Sequence, residues 1–300
     1  MAMNRLISCR LVSITAVFHA LIHSCWGFVP SRHRRFGTTT AELAMFFAQE
    51  VETNEQPSAV KIVLCEGDEA SIQLVSDLMV DAFWLNSPQK RVVDEQAPVS
   101  EAIRSKLVSV QHCDLMDKYG ERLGKLVLAS SLFLAFDQES NDVLGAACID
   151  VCLLDTTTEQ IIPGERSEAM LKKAVASLGP KQRREYKDSS VEEIAAALLP
   201  PNVQAVCCLS NLVVGPNARR KGVAKKLCSE AERVASAEWG YRELLLKVEA
   251  DNGAARTLYE NKMGYSVKYI NPAAPSLRVN AAVGSFVEVP SDTFILSKAI

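Results

Sequence analysis

From Ala205 to Val214 an apolar, strand-forming stretch runs into Gly215-Pro216 and then into the turn Arg219-Arg220-Lys221-Gly222-Val223-Ala224. Pro216 has no N–H to give to a ladder, so regular pairing stops there. Beyond the turn, Val223, Leu227, Ala231, Val234 and Ala235 recur at helical spacing, and Gly240 supplies the stop signal. Strand, glycine turn and helix in that order constrain the chain more than any other feature. They also make an anion site, since the free N–H groups and the positive end of the helix converge on one point. Gly222 lets backbone approach a phosphate with no Cβ in the way. Arg219, Arg220, Lys221, Lys225 and Lys226 crowd five positive charges into this turn. A polyphosphate patch and a merely solvated basic helix start both fit these residues taken alone.

A second unit follows. Glu243 to Val248 reads as a strand, and Asp251-Asn252-Gly253-Ala254-Ala255-Arg256-Thr257-Leu258-Tyr259 leads on to Gly264-Tyr265. Asp251 or Asn252 can cap a short helix, Ala255 and Tyr259 share one face at i, i+4, and Gly264 ends it before another strand. The R-x-x-G-x-A turn after Val213-Val214-Gly215-Pro216, followed in order by N-x-A-A-x-x-L-Y-x-x-x-G-Y, resembles the GCN5-related N-acetyltransferase (GNAT) superfamily. Leu209-Ser210-Asn211-Leu212 together with Glu238-Trp239-Gly240 is similar to plastid protein N-acetyltransferases of that superfamily. The close resemblance covers about residues 205–270.

The resemblance implies an α/β fold of the α+β type. Its central sheet is mixed, mostly antiparallel and flanked by helices, with two central strands that splay apart to admit acetyl-CoA. It further implies that the backbone of Leu212, Val213 and Val214 pairs with the pantetheine arm. The N–H groups of Arg219, Arg220, Lys221, Gly222, Val223, Ala224 and Lys225 would hold the pyrophosphate, and Asn252 would contact the cofactor arm. Tyr259 falls where the family places a phenol that donates to the departing thiolate; a core aromatic is the alternative. The reaction is direct attack of an amine on the thioester, with acetyl-CoA as co-substrate and no metal. Lys247 stands where several protein acetyltransferases carry Glu or His. Glu249 shares its strand face by period two, either as the base or as a partner of Lys247. Ser210 and Cys208 on the neighbouring strand are further candidates for holding a water.

Residue counts exclude other chemistry. Of four histidines, only His112 lies beyond residue 33, so the body has no multi-histidine metal site and no supported thiol-histidine or serine-histidine mechanism. Nine cysteines without a C-x-x-C pair argue against a disulfide framework or a zinc ribbon, and for buried, reduced thiols. The formal charge is −3, but residues 1–41 hold Arg5, Arg10, Arg32, Arg34 and Arg35 and no acid, which leaves the body near −8. An acidic body excludes a wholesale nucleic-acid binder.

The leader divides into two parts. Leu11 to Gly27 is a moderately apolar signal-type core, too short and too polar to span a membrane, and residues 28–45 have transit-peptide composition. Together, residues 1–45 resemble the bipartite presequence of algae with multiply wrapped plastids, Phe28 being the first residue after signal cleavage. A plastid stroma location is therefore expected, with mitochondrion or secretion as alternatives and no stable membrane insertion of the mature protein. Residues 46–59 read as a linker and 60–300 as one domain with an insertion over about 155–204. The insertion reads either as a solvated helix-loop surface or as a lid or substrate-docking insertion. Expected elements are a strand at Val60 to Leu64, a helix from Glu69 to Trp84, and a hairpin of Leu132 to Phe136 with Val143 to Leu154. Two short helices within 166–199 and a last strand at Thr293 to Lys298 complete the reading.

The reading that results is an acetyl-CoA-dependent N-acetyltransferase of protein or peptide amines, N-terminal or lysine, in the plastid. An α-amino group is roughly one-tenth neutral at pH 7 and a lysine only about 1 part in 2,500, so a site without a strong base favours N-termini. A small-amine acetyltransferase and a non-catalytic acyl-CoA sensor are the alternatives. The peptide preference and the oligomeric state stay open.

Overall fold

A computed structural model describes residues 60–87, 90–92, 99–120, 128–280 and 282–300. The leader and the linker lie outside the described residues. Strand β1 (Val60–Leu64) leads to helix α1 (Glu69–Leu78), whose first turn is capped where Ser71 N–H donates to Asp68 Oδ1 at 2.9 Å. Where a single α-helix to Trp84 is expected, the α-helix stops at Leu78 and a wider π-type turn continues to Leu85. Helix α2 (Glu101–Tyr119) follows, and then the expected hairpin of β2 (Ser130–Asp137) and β3 (Val143–Asp155). In its turn Asp137 Oδ1 accepts from the N–H groups of Glu139 and Ser140.

Residues 155–204 hold a short strand β4 (Gln160–Ile162), helix α3 (Gly164–Ala176), helix α4 (Pro180–Glu185) over the basic cluster, and helix α5 (Val191–Leu198). Neither β4 nor α4 is expected from periodicity, because three strand residues and six helix residues are too few to show it. Leu171 and Ile194 of this segment bury against Val151, Leu153 and Val203 of the sheet, so it carries a core of its own. Strand β5 (Val203–Val214), helix α6 (Val223–Arg233), strand β6 (Glu243–Glu249), helix α7 (Gly253–Arg256) and strands β7 (Ser266–Asn280) and β8 (Ser285–Ala299) complete the chain. Helices α6 and α7 both run on into π-type turns, Val234–Glu238 and Thr257–Lys262.

The strands form one sheet in the order β1-β2-β3-β5-β6-β8-β7, with β4 on β3. All neighbours are antiparallel except β5 and β6. Side chains alternate across the sheet. One face carries Leu132, Leu134, Ala146, Cys148 and Val213 beneath α1 and α2. The opposite face carries Phe133, Ala147, Ile149, Cys207 and Leu246 against Leu227, Cys228 and Ala231 of α6. Leu227 is fully buried, which contributes about 2 kcal/mol. Only the two ends of the β7-β8 hairpin are expected from sequence. Strand β6 pairs with β8 from Thr293 to Ala299, and the rest of the hairpin is a two-stranded ribbon. The ribbon's far end lays Val279 and Phe286 against Trp84 and Leu107.

Candidate active site

The two central strands are the parallel pair, and they stay together only briefly. Pairing covers Cys207, Cys208 and Leu209 opposite Leu244, Leu245 and Leu246. Beyond it Ser210 to Val214 and Lys247 to Glu249 have no ladder between them, so the sheet opens into a cleft. A bulge in β5 produces the divergence. Cys148 faces Ser210 and Ala146 faces Val213, so Asn211 and Leu212 together oppose Ala147, and Asn211 has a left-handed φ of 51°. Periodicity did not show this bulge; the only sequence signal is Asn itself, which tolerates that conformation. Leu212, Val213 and Val214 thereby lie along the open edge, their backbone freed on the β6 side.

The turn after β5 closes over the cleft. Gly222 has φ 81° as the N-cap of α6, and Arg220 also has a positive φ of 67°. The first α6 bond is Lys226 N–H to the Gly222 carbonyl at 3.1 Å, so the N–H groups of Val223, Ala224 and Lys225 have no intrahelical acceptor. A Cβ on Gly222 would meet nothing within 4 Å, so the space before the turn is open to a ligand. Arg220, Lys221 and Lys225 are exposed around it. The Arg219 side chain points elsewhere. Its guanidinium donates to the carbonyls of Val214 at 3.3 Å and Ala82 at 3.1 Å, clamping the turn to β5 and to the π-type turn after α1. An anion at this turn would therefore meet backbone N–H groups and the neighbouring cations.

Asn252 caps α7, its Oδ1 accepting from Ala255 N–H at 3.1 Å. Tyr259 sits on the α6 face of the sheet beside Leu246 and Val248, 8% exposed, in an edge-on contact with Tyr265 at 5.9 Å. Its hydroxyl has no hydrogen-bond partner among the described residues. Burial chiefly, with the Cys228 thiol beside it, holds the phenol far above its ordinary pKa. It therefore keeps its proton and is a donor without an acceptor.

Glu249 differs from the expectation of a free base. It is 7% exposed and accepts from both terminal nitrogens of Arg278 at 2.9 and 3.1 Å, from Lys90 at 2.5 Å and from the Ser276 hydroxyl. Burial opposes its charge, but these donors prevail and hold the carboxyl below its ordinary pKa. An anion so enclosed ties the hairpin ribbon to the segment after α1; it is not poised to take a proton. Lys247 does not pair with it by hydrogen bond either, donating instead to the Pro275 carbonyl at 3.0 Å. Partial burial pulls this lysine below its ordinary pKa.

On the α1-α2 face the cleft meets a cavity of about 490 Å³ whose lining includes Asp150, Cys208, Ser210 and Lys247. Asp117 of α2 and Glu165 of α3 stand on its wall. Asp114 beside them is raised by burial and then by the charges of Asp117 and Glu165, so this wall is acidic. Cys148 and Cys208 are buried thiols, Cys148 pushed up to about 12 by its burial, and neither is a ready nucleophile. Among the described residues no group of three or more His, Cys, Asp or Glu side chains is placed to hold a metal ion, and no helix is long and apolar enough to cross a membrane.

Residues 191–265 match the model of the acetyltransferase (GNAT) family. A stretch of 65 residues is 40% identical to the GCN5-related N-acetyltransferase 7, chloroplastic, of Arabidopsis thaliana, covering 22% of this chain and 23% of that protein. The chain thus spans about a quarter of the length of that relative. Similar solved structures include Arabidopsis thaliana NAA60 in complex with a bisubstrate analogue, at 13% identity, 80% of this chain, 99% of that one and a TM-score of 0.44. Another is an acetyltransferase of the GNAT family from Streptococcus pneumoniae, at 16% identity, 81% of this chain, 100% of that one and a TM-score of 0.42. Residues 191–265, which hold β5, the glycine turn, α6, β6 and α7, are thus the part of the chain that is similar to the GNAT family.

Proposed function

We propose that the protein transfers the acetyl group of acetyl-CoA to amines of proteins, N-terminal or lysine, by direct attack of the amine on the thioester. The single observation that carries this reading is the cleft between β5 and β6, with the Gly222 turn at one side and the 490 Å³ cavity at the other. The turn offers free N–H groups and cations to a pyrophosphate. The freed backbone of Leu212 to Val214 offers hydrogen bonds to a pantetheine arm. In the cleft the thioester sulfur would face Tyr259 on one side of the sheet, while the amine arrives on the other. Proximity and a positioned donor then supply most of the catalysis. A plastid site of action rests on the leader composition and on the chloroplastic relative.

The acidic cavity wall favours a cationic acceptor. A volume of about 490 Å³ also lies within the range of small-ligand pockets, which favours small amines as a second reading. Incubating the full chain with acetyl-CoA, a peptide library with free or blocked N-termini, and a panel of small diamines separates them by mass spectrometry. Acetylated peptides are expected to dominate. Acetylated diamines with untouched peptides would establish the second reading in place of the first.

A further inference from the structure

Asp150 is the one carboxylate inside an otherwise apolar run of β3, and it is 7% exposed. Burying a charge there is costly unless donors meet it, and three do. Ser210 Oγ donates to Oδ2 at 2.5 Å, Lys118 Nζ to Oδ2 at 2.8 Å, and the Tyr119 hydroxyl to Oδ1 at 3.0 Å. Asp150 and Ser210 both line the cavity at the point where β5 leaves β6. Ser210 spends its proton on Asp150, so its lone pairs are what it offers to an arriving N–H.

The acids Asp114 and Asp117 of α2 also line the cavity, but among the described residues the Ser210 hydroxyl bonds to Asp150 and to neither of them. Lys247 is a donor, the Cys208 thiol is held far above its ordinary pKa, and Glu249, held by Arg278, Lys90 and Ser276, does not line the cavity. Tyr259 belongs to the opposite face. Glu165 and Glu168 stand on α3 at the outer wall. The groups facing Asp150 are Lys118 and Tyr119 from α2, Cys148 and Cys152 on β3, and Cys208 and Ser210 from β5; Lys247 of β6 shares the cavity.

We propose that Ser210 and Asp150 form the proton relay for the acceptor amine. This rests on the acetyltransferase reading above. The amine nitrogen bonds to the thioester carbon and gives its proton to Ser210 Oγ as the Ser210 proton passes to Asp150 Oδ2. Collapse of the adduct then breaks the C–S bond, the thiolate takes the Tyr259 hydroxyl proton, Tyr259 regains one from solvent, and Asp150 releases the amine proton to solvent through the cavity. Amide and thiol leave, and every proton is accounted for.

The test compares wild type, Asp150→Asn and Ser210→Ala as full chains, with acetyl-CoA and the best peptide of the library, from pH 6 to 10. Acetyl-CoA affinity is measured alongside by calorimetry. In both variants kcat is expected to fall about 10²-fold at pH 7, the usual worth of a positioned base, with affinity unchanged. The deficit should shrink towards pH 10 as hydroxide replaces the relay. A deficit equal at every pH marks a merely structural carboxylate and overturns the relay, as does wild-type turnover in both. If Asp150→Asn does not fold, Ser210→Ala decides alone, since it removes one oxygen from a half-buried site: wild-type turnover overturns, and a pH-dependent loss supports. Wild type that binds acetyl-CoA but acetylates nothing overturns the acetyltransferase reading itself, and the relay with it.

Discussion

Tyr259 is a phenol with its proton fixed by burial, no partner for that proton among the described residues, and a place beside the cleft. Tyr259→Phe keeps the packing and removes one oxygen, so acetyl-CoA affinity should hold while kcat and kcat/KM fall together by about 10²-fold. Steady-state kinetics at pH 7 and pH 9 measure this, and equal kcat at both would take the tyrosine out of the reaction. The motif around Tyr259 was legible because helix spacing and the following Gly264 are local. Glu249 was half legible: its strand face followed from period two, but Arg278 lies 29 residues along the chain and only the fold brings the two together. Asp150 had a signal that strand periodicity passes over, a lone acid in an apolar β3, which marks a buried charge in need of donors.

Elements position these residues by interrupting their own regularity. The β5 bulge at Asn211 opens the sheet, and the left-handed Gly222 turns the chain into α6. The glycine turn was legible because its residue types are specific to its geometry; the bulge was not, since it leaves the apolar pattern of Ala205 to Val214 intact. The β7-β8 ribbon was hidden for a different reason. Pro272, Pro275 and Pro290 interrupt any strand pattern, yet β7 is an edge strand, and at Pro290 β8 has already passed the end of β6. A proline is tolerated where no ladder bond is lost. What holds the ribbon down is the Glu249 cluster, with Arg278 8% exposed and the Val92 N–H donating to the Val279 carbonyl at 3.0 Å. Arg278→Ala strips a buried carboxylate of its bidentate partner and should cost about 3 kcal/mol at pH 7 by urea unfolding. The folded-state pKa of Glu249 is depressed, so its stabilisation is present above the unfolded value of about 4.3 and fades as pH falls through the folded one. The penalty of Arg278→Ala should therefore shrink in acid. A penalty that grows below pH 5 would contradict the ion cluster.

At the scale of the molecule, the mixed, mostly antiparallel sheet was expected from the family resemblance, and its parallel pair has a plain physical reason: a parallel neighbour requires a crossover and α6 supplies it. That crossover sets the Gly222 turn on one side of the cleft and leaves the acidic cavity, walled partly by α3, on the other. Acetyl transfer needs both sides at once. The most direct measurement is release of coenzyme A and appearance of acetylated peptide by the full chain, wild type against Gly222→Glu, at pH 8. Gly222→Glu puts a carboxylate, and a strained φ, into the open space where the pyrophosphate would sit. Wild type is expected to release coenzyme A in step with acetylated peptide, and Gly222→Glu, with native circular dichroism, to bind no acetyl-CoA and release none. Unchanged acetyl-CoA affinity and turnover in a folded Gly222→Glu protein would contradict the site.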